Sequence, residues 1–333
     1  MRKALLAIDV GGSTSRAYLV DLDGRCLGQG RSKGGNPASN NPEFGATSMI
    51  EAVEAAAKDA GERLEIGLAQ IALAGPQIHV ALPRLETAFR AVGLSGPIIF
   101  AGDLLAMFAS VTPSKDGYCI VAGTGSGAVR IRDAEIDRAA DAVGWLLGDL
   151  GSGYWLGHEA AKAVAAELDG RAGATALTPA LLGSLGIAPT GNRILGRPEE
   201  LRRFVDAIYG MRPIELARFA PLVFAHRDDP VAAALIAQAE AFLVADFTTV
   251  LDPRTHGPIA LGGGVAPHLT GLPKAISEVL REAGHTPDIR PVTDGSVGAI
   301  VLALRAANMS VDEAMFDTIV ASLAEYGRLK EQR

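Results

Sequence analysis

A turn rich in glycine and hydroxyl groups follows the first apolar segment of the chain. The sequence LLAIDVGGSTSRAYLVDLDG places Asp9 at the end of an apolar run, and Gly11, Gly12, Ser13 and Thr14 lie before the next one. Glycines allow a ligand to approach the backbone, and successive N–H groups with hydroxyls form an anion-binding concavity. The neighbouring Asp9 carboxylate could hold a hydrated cation beside that anion. The segment predicts a phosphate clamp, and a purely structural turn is the alternative.

A second turn of the same kind occurs in AGTGSGAV, where Gly123, Thr124 and Gly125 follow an apolar run. It matches neither the P-loop pattern nor the dinucleotide-binding fingerprint, and no helix pattern follows it directly. Together with the first turn it indicates an internal repeat of a strand, a glycine turn and a strand. Two such units predict two similar α/β domains whose turns approach one nucleotide from opposite sides. A plain strand connection is the alternative.

An acid follows a short apolar run in PIIFAGD, where Asp103 lies between a predicted strand and a predicted helix. Phosphoryl transfer requires little from a protein beyond positioning, a metal ion and one carboxylate that orients the attacking hydroxyl. Asp103 is the candidate for that base. The alternative is an ordinary helix N-cap, a position that aspartate favours.

The segment VGWLLGDLGSGYW contains four glycines, two tryptophans and one acid. A core helix tolerates few glycines, whereas glycines beside aromatic rings suit a sugar pocket. Asp149 could accept hydrogen bonds from sugar hydroxyls there. The alternative is a helix that begins at Ser152, with Trp145 and Trp155 as core anchors.

Two weaker candidates lie elsewhere. Asn36 in GGNP is either an Asx-turn residue or a ligand contact in the cleft. The glycines Gly262, Gly263 and Gly264 follow a predicted strand and precede a predicted helix, an arrangement that can lay backbone against a nucleoside.

Composition excludes several classes of partner. The 333 residues carry a formal net charge of −7 and no basic run, so neither nucleic acid nor an anionic membrane surface is expected as a partner. No stretch approaches the ~18 uninterrupted apolar residues of a membrane span. Cys26 and Cys119 form no CxxC site or disulfide framework, and the six histidines show no metal-ligand spacing. We therefore expect a cytoplasmic protein.

Alternating patterns predict two α/β domains, residues 1–112 and 113–333, separated near TPSKDG, with the last helix able to pack back on the first domain. Predicted strands are 3–9, 15–22, 26–33, 66–75, 97–102, two within 118–133, and one within 258–265. Predicted helices are 42–60, 82–92, one from 104, a mainly helical stretch over 154–251, 273–282, 296–307 and 311–326.

Taken together, these motifs resemble the sugar kinase/actin/heat-shock ATPase superfamily, and more narrowly the N-acetylglucosamine kinases of the BadF/BadG/BcrA/BcrD ATPase group. The resemblance extends from Asp9 to TDGSVGAIVLAL near the end of the chain. It implies an actin-like ATPase (ribonuclease H-like) fold, a dimer, and transfer of phosphate from ATP to the 6-hydroxyl of an amino sugar.

Residue roles follow from the same resemblance. It implies that Asp9 lies near Mg²⁺, that Asp103 is the catalytic base, and that Thr124 faces the nucleotide phosphates. The nucleotide-binding positions would be Asp9, Gly11, Gly12, Ser13, Thr14, Gly123, Thr124, Gly125 and Gly262–Gly264. The sugar-binding positions would be Asn36, Asp103, Ser126, Gly127, Gly144, Trp145 and Asp149.

This chain departs from the family pattern beside the expected sugar pocket. Val143 stands where the family commonly has Trp, Leu150 stands where it has Glu, and Gly127 replaces the Asn of the mammalian kinases. The resemblance makes N-acetylglucosamine the first choice of substrate, and these departures keep glucosamine and N-acetylmuramic acid close behind.

An activator-type ATPase and a non-catalytic sugar sensor are the alternatives from other classes. The activator needs cysteines that bind an iron–sulfur cluster, and Cys26 and Cys119 have no such context. A sensor would have no need of the base Asp103. Both points argue against these alternatives.

Overall fold

The first part of the chain folds into a five-stranded sheet with helices on its faces. A computed structural model describes residues 1–12, 14–35, 42–73, 75 and 80–331. The strands of this sheet are β1 (Arg2–Val10), β2 (Thr14–Val20), β3 (Cys26–Lys33), β4 (Leu64–Leu73) and β5 (Ile98–Gly102). The helices of this part are α1 (Pro42–Ala60), α2 (Leu82–Ala91) and α3 (Asp103–Ala109).

The remaining chain forms a second five-stranded sheet and a larger helical region. Its strands are β6 (Gly117–Ala122), β7 (Ser126–Arg132), β8 (Glu135–Asp141), β11 (Ile259–Gly262) and β12 (Ile289–Val292), with a small hairpin of β9 (Arg193–Ile194) and β10 (Arg197–Pro198). Its helices are α4 (Gly153–Leu168), α5 (Leu177–Ser184), α6 (Glu199–Tyr209), α7 (Ala220–Ala225), α8 (Pro230–Val250), α9 (Leu272–Glu282), α10 (Ser296–Ala306) and α11 (Glu313–Glu331). Short 3₁₀ helices cover Pro213–Phe219 and Ala266–His268.

The two sheets have the same topology. Their strand orders are β3-β2-β1-β4-β5 and β8-β7-β6-β11-β12. In each sheet three consecutive antiparallel strands are extended by two parallel strands on the side of the first. The internal repeat expected from the two glycine turns is confirmed, because each turn joins the first two strands of its own sheet.

Two helices form the layer between the sheets. Residues of α3 and α10 share one hydrophobic cluster with side chains from both sheets, among them Leu5 and Tyr18 from the first and Cys119 and Ile131 from the second. Within this layer α3 and α10 contact each other closely, and α10 also packs on β1 and β4. Since α3 begins at Asp103, this central layer fixes the position of the candidate base.

The helices α8 and α11 occupy the outside of the molecule. In α11, Tyr326 donates its hydroxyl to the carbonyl of Leu27 at 3.1 Å, and Ser322 accepts the N–H of Cys26 at 2.9 Å. Within the described chain only α8 is long and apolar enough to cross a membrane. This is weak evidence for a membrane span, because core helices of soluble proteins pass the same test. It packs against β7, β8 and α9.

Two strands of the second sheet were not expected from the sequence. Strand β8 reads EIDRAAD, is mostly exposed, and forms because it pairs in antiparallel register with β7. Strand β12 reads IRPV and lies at the opposite edge, where its proline is tolerated. In both strands the pairing partner outweighs the weak local propensity.

Candidate active site

Asp9 is the penultimate residue of β1 and a buried carboxylate beside a guanidinium. Arg16, which lies directly opposite it on β2, donates to its Oδ2 at 3.2 Å, and the second nitrogen of Arg16 lies 3.7 Å from Asp294. Burial, together with the charges of Asp294 and Asp103, raises the pKa of Asp9 to about 6 against the opposing effect of Arg16. The positive charge of Arg16 therefore does not fully compensate the buried negative charge of Asp9.

Asp103 is the first residue of α3. Gly102 occupies the N-cap position, so the alternative interpretation of Asp103 as the N-cap is wrong. Its Oδ1 accepts the N–H of Leu104 at 3.0 Å, and burial raises its pKa to about 6 against that hydrogen bond. Asp103 itself is intermediate in exposure. A half-buried carboxyl with a pKa near neutrality is suited to accept a proton.

The charges around these two aspartates fit a divalent cation. The charges of Asp103 and Asp294 both act on Asp9, and Arg16 forms ion pairs with Asp9 and Asp294. When all are ionised, three carboxylates against one guanidinium leave an excess of negative charge. Among the described residues no three acidic, histidine or cysteine side chains share one coordination sphere. The arrangement therefore suits Mg²⁺ held through water and phosphate oxygens, which is how this ion usually binds.

The first glycine turn leaves room for a ligand. Gly11 donates its N–H to the carbonyl of Thr14 at 2.9 Å, which closes the turn. A Cβ on Gly12 would meet no atom within 4 Å, so the space above this residue is open. Ser13 lies outside the described residues. Gly11, Gly12 and Thr14 are thus placed beside Asp9 at one end of the first sheet.

The second glycine turn is joined to the beginning of α4. Gly123 accepts the N–H of Gly153 at 2.8 Å, and Thr124 accepts the N–H of Tyr154 at 3.1 Å. The turn itself is closed by the N–H of Gly123, which donates to Gly125 at 2.8 Å. Because Thr124 is exposed, its side chain is available to a ligand.

The three consecutive glycines that begin with the last residue of β11 have three different environments. A Cβ on Gly262 would lie 2.2 Å from the methyl group of Met107, so this residue serves close packing against α3. Gly263 has a φ of +94°, and a Cβ there would lie 2.3 Å from the carbonyl of Ala122. Gly264 is exposed with no atom within 4 Å of a Cβ, which makes it the one of the three most open to a nucleoside.

Asp149 contacts the end of the second glycine turn. Its Oδ1 accepts the N–H of Ser126 at 3.2 Å, while the Ser126 hydroxyl donates to the carbonyl of Leu150 at 2.8 Å. Burial raises the pKa of Asp149, and the hydrogen bond from Ser126 opposes the change. Gly127 is buried, and a Cβ on it would lie 2.8 Å from the Cβ of Ala142. Contacts made by Ser126 and Gly127 thus hold the start of β7 against the segment that carries Asp149.

The segment 143–150, here called the 143–150 loop, carries the remaining sugar candidates. Gly144 has a φ of +87° and open space around it. Trp145 is 37% exposed and meets Tyr154 edge to face at a centroid distance of 5.8 Å, so it is not the core anchor that the alternative interpretation required. The other parts of that alternative are confirmed: Ser152 caps α4 by accepting the N–H of Trp155, which is buried. Asn36 lies outside the described residues.

Three polar residues near these candidates were missed in the sequence. Arg16 could have been found, because a β1–β2 hairpin places it opposite Asp9. Asp294 lies in TDGSVGAI, a segment noted in the sequence only as the end of the family resemblance. Asp141, which accepts hydrogen bonds from the 143–150 loop, belongs to the unexpected strand β8 and gave no signal.

The duplicated sheets, the central pair of helices and the two glycine turns define an actin-like ATPase fold. The chain belongs to the BadF/BadG/BcrA/BcrD ATPase family, whose model matches residues 6–303.

A curated relative and a solved structure resemble this chain. The N-acetylmuramic acid/N-acetylglucosamine kinase of Clostridium acetobutylicum is 29% identical over 178 residues, which are 53% of this chain and 58% of that protein. The match thus spans less than two thirds of that relative. A Chromobacterium violaceum protein provisionally designated an N-acetylglucosamine kinase is 26% identical, with a TM-score of 0.69 over 91% of this chain and 99% of its own.

More distant structures share the fold alone. A Porphyromonas gingivalis protein with the same provisional designation is 21% identical, with a TM-score of 0.66 over 92% of this chain and 100% of its own. The ROK hexokinase of Thermus thermophilus is 18% identical, with a TM-score of 0.54 over 91% of this chain and 99% of its own.

Proposed function

We propose that this protein transfers the γ-phosphoryl group of ATP to the 6-hydroxyl of an amino sugar, with N-acetylglucosamine as the preferred substrate. The observation that carries the proposal is Asp103, a partly accessible carboxyl of raised pKa within electrostatic reach of Asp9. Membership of an ATPase family supports the use of ATP. The kinase names of the Clostridium and Chromobacterium relatives support the choice of an amino sugar.

In the proposed reaction Asp103 accepts the proton of the sugar hydroxyl as its oxygen attacks the γ-phosphorus. The new oxygen–phosphorus bond forms while the bond between the γ-phosphorus and the β,γ-bridging oxygen breaks, and ADP leaves. Backbone N–H groups of the two glycine turns would orient the phosphates. Bound Mg²⁺ would neutralise phosphate charge, with Asp9 holding it through water. Asp149 and Trp145 would bind the sugar. A cytoplasmic location and a homodimer remain predictions.

The test is ADP release by the purified protein with Mg·ATP and, separately, N-acetylglucosamine, glucosamine, N-acetylmuramic acid and glucose. Sugar-dependent ADP release with an amino sugar, in excess of that with glucose, is expected. ATP binding without sugar-dependent release would favour the sensor, and sugar-independent hydrolysis would favour another kind of ATPase.

The activity should depend on pH through Asp103. A base with a pKa of about 6 is mostly protonated at pH 5 and mostly ionised at pH 7, so kcat/KM should rise by about tenfold between these values and then level off. If Asp9 must also be ionised, the rise will be steeper, because its pKa is also about 6. The measurement is the initial rate from pH 5 to 8 at a fixed free Mg²⁺ concentration. An equal rate at pH 5 and pH 7 would contradict the raised pKa.

Sugar preference should depend on the residues that flank Asp149. Leu150 is 38% exposed beside it, and Leu150→Glu adds a negative charge there. N-Acetylmuramic acid carries a carboxylate, so its kcat/KM relative to N-acetylglucosamine should fall by several-fold through like-charge repulsion. Val143→Trp should also change the ranking without abolishing phosphorylation. The matched control is Leu195→Glu at a fully exposed hairpin position. An unchanged ranking of sugars in both loop variants would show that Leu150 and Val143 do not line the sugar pocket.

A further inference from the structure

The carboxylate of Asp141 holds two consecutive backbone groups of the 143–150 loop. Its Oδ1 accepts the N–H of Asp149 at 2.7 Å, and its Oδ2 accepts the N–H of Leu150 at 2.9 Å. Hydrogen bonds to an ionised acceptor are stronger than neutral ones. Both oxygens of one side chain at the end of β8 are therefore used to fix the peptide segment that carries Asp149.

The space around Asp141 fits this arrangement closely. A Cβ on Gly148 would lie 2.1 Å from Oδ1 of Asp141, so only glycine leaves room for the carboxylate at this position. Asp141, Ala142 and Asp149 all have a φ near +55°, in the left-handed region that costs free energy for residues other than glycine. The two hydrogen bonds to Asp141 offset part of that cost and hold the loop in a conformation it would otherwise leave.

The same contacts continue to the candidate phosphate turn. The backbone of Asp149 is held by Asp141, and the side chain of Asp149 accepts the N–H of Ser126 at the end of the second glycine turn. A Cβ on Gly125 would lie 2.8 Å from Oδ1 of Asp149, so the carboxylate is seated directly against that turn. A displacement of the 149–150 backbone would therefore move the Asp149 carboxylate relative to the turn.

We propose that Asp141 is a positioning residue that fixes the 149–150 backbone and thereby directs Asp149 at the sugar. The inference about the sugar rests on the proposed function, whereas the effect on the loop does not. Asp141 acts through Asp149 and need not touch the substrate.

The kinetic test uses Asp141→Gly and Asp141→Asn. Glycine adopts a positive φ readily and has no acceptor, so Asp141→Gly removes the hydrogen bonds without imposing backbone strain. Its KM for the sugar is expected to rise by about tenfold or more, since small displacements of binding groups have large kinetic effects. The KM for ATP should stay unchanged. Asparagine tolerates the left-handed conformation and keeps one acceptor oxygen, so Asp141→Asn should show an intermediate KM for the sugar.

Ala142→Gly provides the matched control. Ala142 is the next residue and has a φ of +56°, but its side chain accepts no hydrogen bond. This variant introduces the same glycine flexibility while retaining the carboxylate, so its KM for the sugar should equal that of the wild type. An equal rise in Ala142→Gly and Asp141→Gly would overturn the proposal, because flexibility alone would then explain the effect.

Hydrogen exchange tests the contact without any substrate. The amide protons of Asp149 and Leu150 should exchange about tenfold faster in Asp141→Gly than in the wild type, while those of residues 128–132 in β7 and those of α4 keep their protection. Unchanged exchange at both amides would overturn the proposal. Loss of protection throughout the second sheet would also overturn it, because Asp141 would then be a general stabilising residue. If the wild type phosphorylates no sugar, the proposed function fails, and the exchange rates alone decide whether Asp141 fixes the loop.

Gly148→Ala tests the contact from the other side. An added Cβ would displace the Asp141 carboxylate, so this variant should raise the KM for the sugar as Asp141→Gly does. The same Cβ would also lie 2.6 Å from Val143, whose exposed side chain can move away. Because both substitutions break one contact, their combined effect should be close to that of either alone. Fully additive effects would contradict a shared mechanism.

Discussion

Asp103→Asn is expected to lower kcat by about 100- to 10,000-fold, the usual contribution of a general base. Asparagine has nearly the same shape as aspartate but cannot accept the proton of the sugar hydroxyl. Burial already disfavours the charged form of Asp103, so removing the charge should not destabilise the folded protein. Dissociation constants for ATP and for the sugar should therefore stay close to those of the wild type.

The measurement combines single-turnover phosphorylation with equilibrium binding of ATP and sugar. Asp23→Asn is the matched control, because it makes the same chemical change at an exposed turn. An Asp103→Asn enzyme that turns over at the wild-type rate would show that another group accepts the proton. Loss of sugar binding in step with turnover would make Asp103 a binding residue instead.

Gly298→Ala should lower the free energy of unfolding more than any other substitution discussed above. Gly298 lies where α10 crosses α3, and a Cβ on it would lie only 1.7 Å from the carbonyl oxygen of Ala106. Ser110 bridges the same crossing: its hydroxyl donates to Ala106 at 2.9 Å and accepts the N–H of Gly298 at 2.8 Å. An added methyl group must separate the helices and break this bridge. We expect the free energy of unfolding to fall by about 3 kcal/mol, the upper end of the usual cost of overpacking.

Urea denaturation of Gly298→Ala and of Gly183→Ala provides the comparison. Gly183 lies in helix α5 with no atom within 4 Å of a Cβ, so alanine there should raise the free energy of unfolding by about 0.5–1 kcal/mol. Since α3 begins at Asp103, Gly298→Ala should also reduce activity in the fraction that remains folded. Equal stability of the two variants would contradict close packing at the helix crossing.

Much of the architecture could be predicted because it is encoded locally. β1 carries an apolar run from Ala4 to Ile8 that is buried, and the two glycine turns made the repeat visible. The helix that begins after Ser152 was visible through its capping residue. These features depend on short stretches of sequence, so no knowledge of distant contacts was needed.

The remainder depends on contacts between distant segments. Strand β8 consists of charged and small residues and forms only against β7, so Asp141 and its hydrogen bonds to the 143–150 loop could not be foreseen. The raised pKa of Asp103 comes from burial. The layer formed by α3 and α10 brings together Ser110 and Gly298, which are 188 positions apart in the chain. The packing role of Gly262 against Met107 is likewise a property of the folded chain.

The most direct measurement is the ³¹P NMR spectrum of a reaction of the purified protein with Mg·ATP and N-acetylglucosamine, recorded with proton coupling. We expect ADP and a phosphomonoester signal split by the two protons of the C6 methylene group, with both signals nearly absent for Asp103→Asn. The same spectrum is recorded with glucosamine and with N-acetylmuramic acid. ADP and inorganic phosphate without a sugar phosphomonoester in all three reactions would contradict the proposed transfer to an amino sugar.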